Sequence, residues 1–402
     1  MAIALPTSAS PASVPLDLRA LPRAHVEALY LHVPFCFHKC HYCDFYSITR
    51  QSPDRMAAFV DRVLREARFW ADRYPGTIRP LTIFFGGGTP SLLPIDQMDR
   101  LLAGLRQTFD LAPVTEWTVE ANPATVTSDY LSMLRSHGVD RLSFGAQSFD
   151  RAHLRALERH HDPDDVPRSI ELARVAGFAR MNVDLIYAIP GQSLADWSAS
   201  LLAAIALNTE HVSAYGLTYE PNTPIAVKRR LGQLVPATDE LELDMLHLAR
   251  ERLSAAGLNP YEISNYARPG EACRHNLAYW TGGSYLALGP SAASHVDGHR
   301  WRNRPHLGEW EHAIDRGDLP ATDVETLTPR QRQGELAMLM LRLTEGIDVS
   351  AFRDRTKADP LATFAETLAP LVRQGLVETT PTHIRLTPRG LPVADAVAGE
   401  FV

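Results

Sequence analysis

Lysine is almost missing from this sequence. Of its 402 residues, 40 are lysine or arginine, and the only lysines are Lys39, Lys228 and Lys357. The formal net charge is −7, and no basic run long enough to form a nucleic-acid surface interrupts the chain. We therefore expect no nucleic-acid partner.

Long apolar runs are missing too. No stretch approaches the roughly twenty apolar residues that cross a bilayer. Residues 1–25 are rich in Ala, Ser and Pro but lack the basic start and apolar run of a signal peptide, so we expect a disordered lead-in there. The four cysteines, three of them within eight residues, do not make a disulfide framework. These absences favour a reduced, cytoplasmic protein.

Short apolar runs alternate with longer amphipathic ones from Leu29 onward. The six predicted strands span residues 29–33, 81–85, 116–120, 141–144, 181–186 and 211–217. A helix is predicted where Leu194, Trp197, Leu201 and Ile205 share one face. Six strand–helix units predict an α/β fold with a parallel sheet and helices outside it, as a barrel or a doubly wound sheet.

Polar and glycine residues follow the predicted strands at their ends. A cysteine-rich loop follows the first strand, and the run 86–89 of three glycines and a threonine follows the second. Glu120 and Gln147 come at the ends of the third and fourth. Because parallel α/β folds build their sites at the carboxyl ends of strands, we expect one site that all of these share.

The pattern changes beyond about residue 300. Two predicted helices, 329–343 and 361–373, lead into two short strands, which is typical of a small winged-helix-like α+β module. Such modules often bind DNA, but without a basic stripe we expect this one to pack against its neighbour. The predicted organisation is a lead-in (1–25), a core barrel (26–235), a barrel extension (236–300) and a C-terminal module (301–402).

The three clustered cysteines carry the most specific chemistry. Cys36, Cys40 and Cys43 have the spacing C-x₃-C-x₂-C. Three thiolates can ligate three irons of a [4Fe–4S] cluster and leave the fourth iron open. An amino acid could chelate that iron, and an electron passed to its sulfonium would break a C–S bond. A structural zinc site that adds His38 or His41 is the alternative. The glycine run favours a cofactor, because glycines let a backbone approach a ligand closely.

These motifs together resemble the radical S-adenosylmethionine superfamily, and within it the oxygen-independent coproporphyrinogen III oxidases and their relatives. The resemblance implies a partial (β/α)₆ TIM-like barrel with the [4Fe–4S] cluster and S-adenosylmethionine at its mouth. It implies cluster ligation by the three cysteines. The cofactor contacts it implies are Tyr30, Gly87, Gly88, Thr89, Glu120, Gln147, Arg159 and Asp184. In the oxidases the last three serve a second S-adenosylmethionine, whereas here Arg159 and Asp184 could instead form a buried ion pair.

Two features separate oxidases from their relatives. The oxidases carry a fourth cysteine where this chain has Phe45. The string from His275 to Trp280, H-N-x-x-Y-W, is similar to a signature of the HemW-type heme chaperones. That resemblance implies heme, with candidate residues His275, Tyr279, Trp280 and the nearby Cys273, since imidazole and thiolate ligate heme iron. The alternative is a set of core aromatics above a hydrogen-bonded histidine, with Cys273 as a small buried residue.

We therefore predict a cytoplasmic heme chaperone built on a radical S-adenosylmethionine core. Its expected partners are heme and heme-accepting respiratory proteins, with transient association at the cytoplasmic membrane face and a homodimer as further expectations. Oxidation of coproporphyrinogen III is the alternative, and a radical enzyme for another substrate is a third hypothesis. No oxidase activity is expected, and cleavage of S-adenosylmethionine is left open.

Overall fold

Six parallel strands, each followed by helical chain, form the centre of the molecule. The computed structural model describes residues 25–402, so all but the last residue of the predicted lead-in lies outside the described part. The six strands are β1 (Val26–Val33), β2 (Ile78–Gly87), β3 (Glu116–Ala121), β4 (Arg141–Gln147), β5 (Arg180–Tyr187) and β6 (His211–Gly216). They pair in sequence order, and all six predicted strands are confirmed.

Eight helices accompany this part of the sheet. They are α1 (Pro53–Arg73), α2 (Ile95–Thr108), α3 (Ser128–Ser136), α4 (Arg151–Ala156), α5 (Asp165–Val175), α6 (Leu194–Ala206), α7 (Pro224–Arg230) and α8 (Asp239–Ala255). The predicted apolar stripe on α6 buries Trp197 and Leu201 completely. A capping box between Ser193 and Asp196 begins this helix, because each side chain satisfies a backbone N–H that the first turn leaves free.

Six further strands extend the sheet at both edges. The added elements are β7 (Asn259–Pro260), β8 (Asn265–Ala267), α9 (Arg274–Trp280), β9 (Tyr285–Leu288), β10 (Ala293–Val296), β11 (His299–Asn303), α10 (Leu307–Arg316) and β12 (Ala321–Thr326). The strand order is β12-β11-β10-β9-β1-β2-β3-β4-β5-β6-β8-β7. Strand β9 is parallel to β1. Strands β12 and β7 stand at the two ends of this order and do not pair with each other, so the barrel does not close. The sheet is therefore a partial barrel, as predicted.

An ionisable side chain lies inside the core of this barrel. Glu66 on α1 is fully buried. It accepts hydrogen bonds from the Gly289 N–H at 2.9 Å, from Trp310 Nε1 at 3.1 Å and from Asn303 Nδ2 at 2.7 Å. Burial raises the pKa of Glu66 to about 7, although these donors oppose the rise. Glu66 thus connects α1 to the late strands and α10.

The C-terminal module has its own small sheet and core. It contains α11 (Pro329–Met340), β13 (Ile347–Asp348), α12 (Val349–Thr356), α13 (Pro360–Thr363), α14 (Ala365–Arg373), β14 (Val377–Thr379), β15 (His383–Leu386) and α15 (Ala394–Gly399). Its strands pair antiparallel in the order β13-β15-β14, as in the predicted winged-helix-like module. Its core begins at Leu336. The expected boundary at residue 301 therefore falls inside the barrel sheet, because β11 and β12 still pair there.

None of the helices in the described residues combines the length and the apolar character that a membrane span requires.

Candidate functional site

The cysteine loop leaves the carboxyl end of β1 and is tied to the glycine run after β2. Gly88 donates its N–H to the Val33 carbonyl at 2.8 Å, and Thr89 donates to the Phe35 carbonyl at 2.7 Å. At the base of the loop, Cys36 donates to the Ile48 carbonyl at 3.0 Å. Backbone hydrogen bonds thus fix the start of the loop against the glycine run.

Glycine is required at two positions of this run. Gly87 has φ +105°, and a Cβ there would lie 2.5 Å from His32 Nδ1. A Cβ on Gly88 would lie 2.6 Å from the Phe35 carbonyl oxygen. Because the second obstacle is backbone, it cannot move aside as a flexible side chain would. The glycines therefore bring two segments of the protein together, and the predicted approach to a ligand stays a prediction.

The three loop cysteines are free thiols that are partly exposed to solvent. Thr89 Oγ1 lies 3.8 Å from Cys36 Sγ, and Arg159 Nη1 lies 3.9 Å from Cys40 Sγ. Burial raises the pKa of Cys43 to about 12, and repulsion from the other two thiolates contributes. A positive partner such as a metal reverses this preference, because coordination deprotonates a thiol.

The thiol positions bear on the choice between one zinc ion and a cluster. A single zinc ion holds its sulfur ligands about 2.3 Å from itself, so those sulfurs must be close neighbours. Among residues 25–402, the one group of three side chains with ligand atoms all within 4.8 Å contains no cysteine. The three thiols are therefore not all within that distance of one another. Ligation of three irons of a [4Fe–4S] cluster by these cysteines stays a prediction.

Two predicted cofactor contacts, Tyr30 and Glu120, lie inside the barrel near its mouth. The Tyr30 ring stacks on Phe84 with centroids 6.3 Å apart, and its hydroxyl lies 3.3 Å from His32 Nδ1. Burial and the charge of Asp184 raise the pKa of Glu120 to about 7. Burial and the charge of Glu120 in turn raise the pKa of Tyr30. An acid whose pKa lies near neutrality can accept the charge of an ammonium group or hydrogen-bond ribose hydroxyls.

Arg159 and Asp184 do not form the ion pair considered as an alternative. Asp184 accepts hydrogen bonds from Asn182 Nδ2 at 2.8 Å and from Ser143 Oγ at 3.1 Å. Arg159 instead donates to the Gly145 carbonyl and lies against the Cys40 sulfur. Each is thus held by its own partners, so the carboxylate keeps capacity for a ligand in the barrel. Gln147 lies beside Arg159, since a Cβ on Gly145 would meet both side chains.

The polar network around Asp184 includes residues that the sequence interpretation missed. Asn182 Oδ1 lies 2.6 Å from His211 Nδ1, and His211 Nε2 lies 2.9 Å from the Tyr261 hydroxyl. Burial keeps the pKa of His211 well below its ordinary value. Polar residues alternate with apolar ones at 141, 143, 182 and 184. This period of two is the signal that could have identified the inward face.

His275 lies elsewhere, in the core on the side of β2 where the strand begins. It is 1% exposed, and burial lowers its pKa to about 3. Its Nδ1 lies 2.9 Å from Thr82 Oγ1, and its Nε2 lies 2.8 Å from the Tyr279 hydroxyl. The ring also stacks on Phe84, with centroids 5.2 Å apart. Both ring nitrogens are therefore engaged, so iron could bind here only if one of these contacts broke.

Two other heme candidates, Cys273 and Trp280, are also buried among neighbouring side chains. Cys273 is fully buried, with its thiol 3.4 Å from Glu116 Oε1. The Trp280 ring is covered by Arg342, whose guanidinium carbon is 4.9 Å from the ring centroid. Glu116, which the sequence interpretation did not single out, also accepts the N–H of His275 at 2.9 Å. The arrangement matches the alternative of a packed core helix, and the role of these residues toward heme stays a prediction.

Comparison with known proteins extends these observations. The radical SAM superfamily matches residues 30–203, and the HemN C-terminal domain matches residues 327–393. The heme chaperone HemW of Mycobacterium tuberculosis strain H37Rv is 36% identical over 380 residues, which cover 92% of this chain and 93% of that protein. The heme chaperone HemW of Bacillus subtilis strain 168 is 32% identical over 94% of this chain and 99% of that protein.

A solved structure shares the fold. Coproporphyrinogen III oxidase (HemN) from Escherichia coli, described as a radical SAM enzyme, superposes with a TM-score of 0.83. The match covers 95% of this chain and 91% of that one at 24% sequence identity. At that identity the likeness establishes the fold alone.

Proposed function

The chain belongs to the HemW heme chaperone family and carries its radical SAM domain, and from this premise we propose that it binds heme and delivers it to heme-dependent proteins. The observation that carries the proposal is the identity of 36% and 32% to two heme chaperones over more than nine tenths of the chain. Respiratory enzymes are the acceptors we propose. Such a carrier would work in the cytoplasm and meet its acceptors at the membrane face.

The proposal includes a [4Fe–4S] cluster held by the three loop cysteines. When bound, S-adenosylmethionine and the cluster would supply reductive cleavage of a C–S bond. This chain's residues would position that cofactor: the glycine run fixes the loop, and Glu120 offers a buried acid near the barrel mouth. Gln147, Arg159 and Asp184 line the barrel beneath the loop, where they would contact the cofactor or a second ligand.

Heme titration and heme transfer test the chaperone function directly. Cluster-loaded protein is titrated with hemin under nitrogen, and the Soret band is followed to saturation. The heme-loaded chain is then mixed with a heme-free acceptor enzyme, whose recovered activity reports transfer. Saturable binding with transfer supports the proposal, and absence of either refutes it.

The same preparation tests the oxidase alternative. Coproporphyrinogen III is incubated with reductant and S-adenosylmethionine, and protoporphyrinogen is measured. The phenylalanine at position 45, in place of the fourth cysteine of the oxidases, predicts no turnover. Sustained product formation would assign the chain to heme synthesis instead.

Gel filtration in the presence and absence of heme tests the proposed homodimer.

A further inference from the structure

Two imidazoles and a carboxylate from two segments of the chain meet at the cysteine loop. His38 belongs to the loop, and Glu158 and His160 follow α4. One possible ligand atom from each residue lies within 4.8 Å of the other two, and no second such group of His, Cys, Asp or Glu occurs in residues 25–402. We call these three residues the loop triad.

The spacing inside the loop triad is close to what one metal ion needs. His38 Nε2 lies 3.7 Å from Glu158 Oε2, which is too far for a hydrogen bond. An ion that holds both atoms at about 2.1 Å in tetrahedral geometry would place them about 3.4 Å apart. The third ligand atom, on His160, lies within 4.8 Å of both. Because the His160 side chain is exposed, a small rotation can bring its ring nitrogen to the same ion.

The two imidazoles of the loop triad have ring nitrogens that no protein group uses. His38 Nε2 is buried and makes no hydrogen bond, and a buried polar atom without a partner is unfavourable. Among the described residues, no group forms a hydrogen bond with the His160 ring. That ring meets the His38 ring edge to face, with centroids 4.4 Å apart. One bound ion would therefore give both rings a partner.

Glu158 is held in place by its backbone and by a neighbouring histidine. It follows the end of α4 with φ +56°, in the left-handed conformation that glycine usually supplies at this position. His41 Nε2 lies 3.8 Å from Glu158 Oε1. Lys228 Nζ donates to His41 Nδ1 at 3.1 Å, so the proton of the His41 ring is on the nitrogen that faces the carboxylate. His41 thus orients one oxygen of Glu158 and leaves the other, Oε2, for an ion.

We propose that the loop triad binds one divalent transition-metal ion, such as Zn²⁺ or Fe²⁺, through the two imidazoles and Glu158 Oε2. Imidazole and carboxylate are ligands that these ions share, and three protein ligands leave a position for water. The ion is additional to the [4Fe–4S] cluster, and the site does not depend on heme binding. Because His38 is in the cysteine loop and the other two ligands follow α4, the ion would tie the loop to that segment. Arg159, between those two ligands, already lies 3.9 Å from Cys40 Sγ.

Zinc binding by the cluster-loaded chain tests the site directly. The full-length forms compared are wild type, His160→Ala, Glu158→Gln and the control His247→Ala, which changes an exposed histidine on α8. Each is titrated anaerobically with Zn²⁺ in competition with a chromophoric chelator, and iron is measured in the same samples to show that the cluster stays whole. We expect one Zn²⁺ per wild-type chain and at least tenfold weaker binding by the first two variants. His247→Ala should bind Zn²⁺ as wild type does.

A cobalt spectrum identifies the ligand in a chain whose loop cysteines cannot compete. Cys36, Cys40 and Cys43 are changed to serine, and His160→Cys is then added to this parent. Bound Co²⁺ should give a thiolate-to-metal charge-transfer band in the new variant. The parent should lack the band, because its remaining cysteine, Cys273, is fully buried. A folded variant that binds Co²⁺ without this band would show that residue 160 is not a ligand.

The remaining outcomes also decide the proposal. Equal affinity of wild type and His160→Ala for Zn²⁺ would place the ion elsewhere, and absence of zinc binding by wild type would show that there is no site. Release of iron as Zn²⁺ binds would mean that the ion takes the cluster's ligands. Hemin titration of the same variants keeps this inference apart from the proposed function. If hemin binds saturably while zinc does not bind, only the inference is wrong.

Discussion

Replacement of His275 by alanine should destabilise the fold strongly. The side chain is 1% exposed and stacks on Phe84, so its removal leaves a cavity that costs about 2–3 kcal/mol. The hydroxyls of Thr82 and Tyr279 each lose a partner at 2.9 and 2.8 Å. Each buried hydroxyl left unpaired costs about 1 kcal/mol. The sum is about 4 kcal/mol, a large part of the stability of an ordinary domain.

The assay is urea unfolding followed by circular dichroism, combined with hemin titration of the folded fraction. His275→Gln keeps much of the volume and one or two hydrogen bonds, so it should lose about half as much free energy of unfolding. His312→Ala, which changes an exposed histidine on α10, serves as the control. If His275→Ala unfolds at nearly the same urea concentration as wild type but binds hemin tenfold more weakly, the histidine is a heme ligand and the reasoning from its packing is refuted.

Three further perturbations test the loop, the glycine run and the buried acid. Alanine at any one of the loop cysteines should remove most of the bound iron. Cys273 is fully buried away from the loop, so Cys273→Ala should keep its iron. Equal loss of iron from all of these variants would mean that the ligands are misassigned. Gly88→Ala should lower the iron content severalfold, because its Cβ would lie 2.6 Å from a backbone carbonyl oxygen. Gly308→Ala is the control, because a Cβ there would meet nothing within 4 Å, and it should keep its iron. The measurement is iron per chain after reconstitution of the cluster. The pKa of Glu66, raised by burial to about 7 from 4.5, makes its contribution to stability complete below about pH 4.5 and lost as pH rises through 7. Wild type should therefore lose about 3 kcal/mol across that window, and Glu66→Gln should not; parallel pH profiles of urea stability for the two proteins would contradict this.

The parallel core could be predicted because its signal is local. Each of the strands β1–β6 is a short apolar run followed by a polar loop, and the match to the observed strands is within a few residues at every end. Strands such as β7, with only two residues, have too few positions for a periodic pattern. Strands β11 and β12 were not predicted although they have five and six residues, and for that reason the boundary expected at residue 301 falls inside the sheet.

The site was predictable only where its residues are contiguous. The cysteine spacing and the glycine run can be identified in a single stretch of chain, whereas the partners of His275 cannot. Thr82 lies 193 positions away from it, so the string alone could not decide between a heme ligand and the hydrogen-bonded core histidine that was its alternative. The network from Asp184 to Tyr261 likewise joins different strands.

The attachment of the cysteine loop bears on how the protein matures after synthesis. Between Cys36 and Phe45 no side chain joins the main core, although Tyr42 packs against a smaller buried cluster, and the chain rejoins the main core at Tyr46 and Ile48. Burial of that core is what drives folding, so we expect the barrel of the newly synthesised chain to fold before iron and sulfide are bound. Cluster insertion then acts on a finished scaffold. When iron is short, we therefore expect a folded precursor that can take up its cluster later.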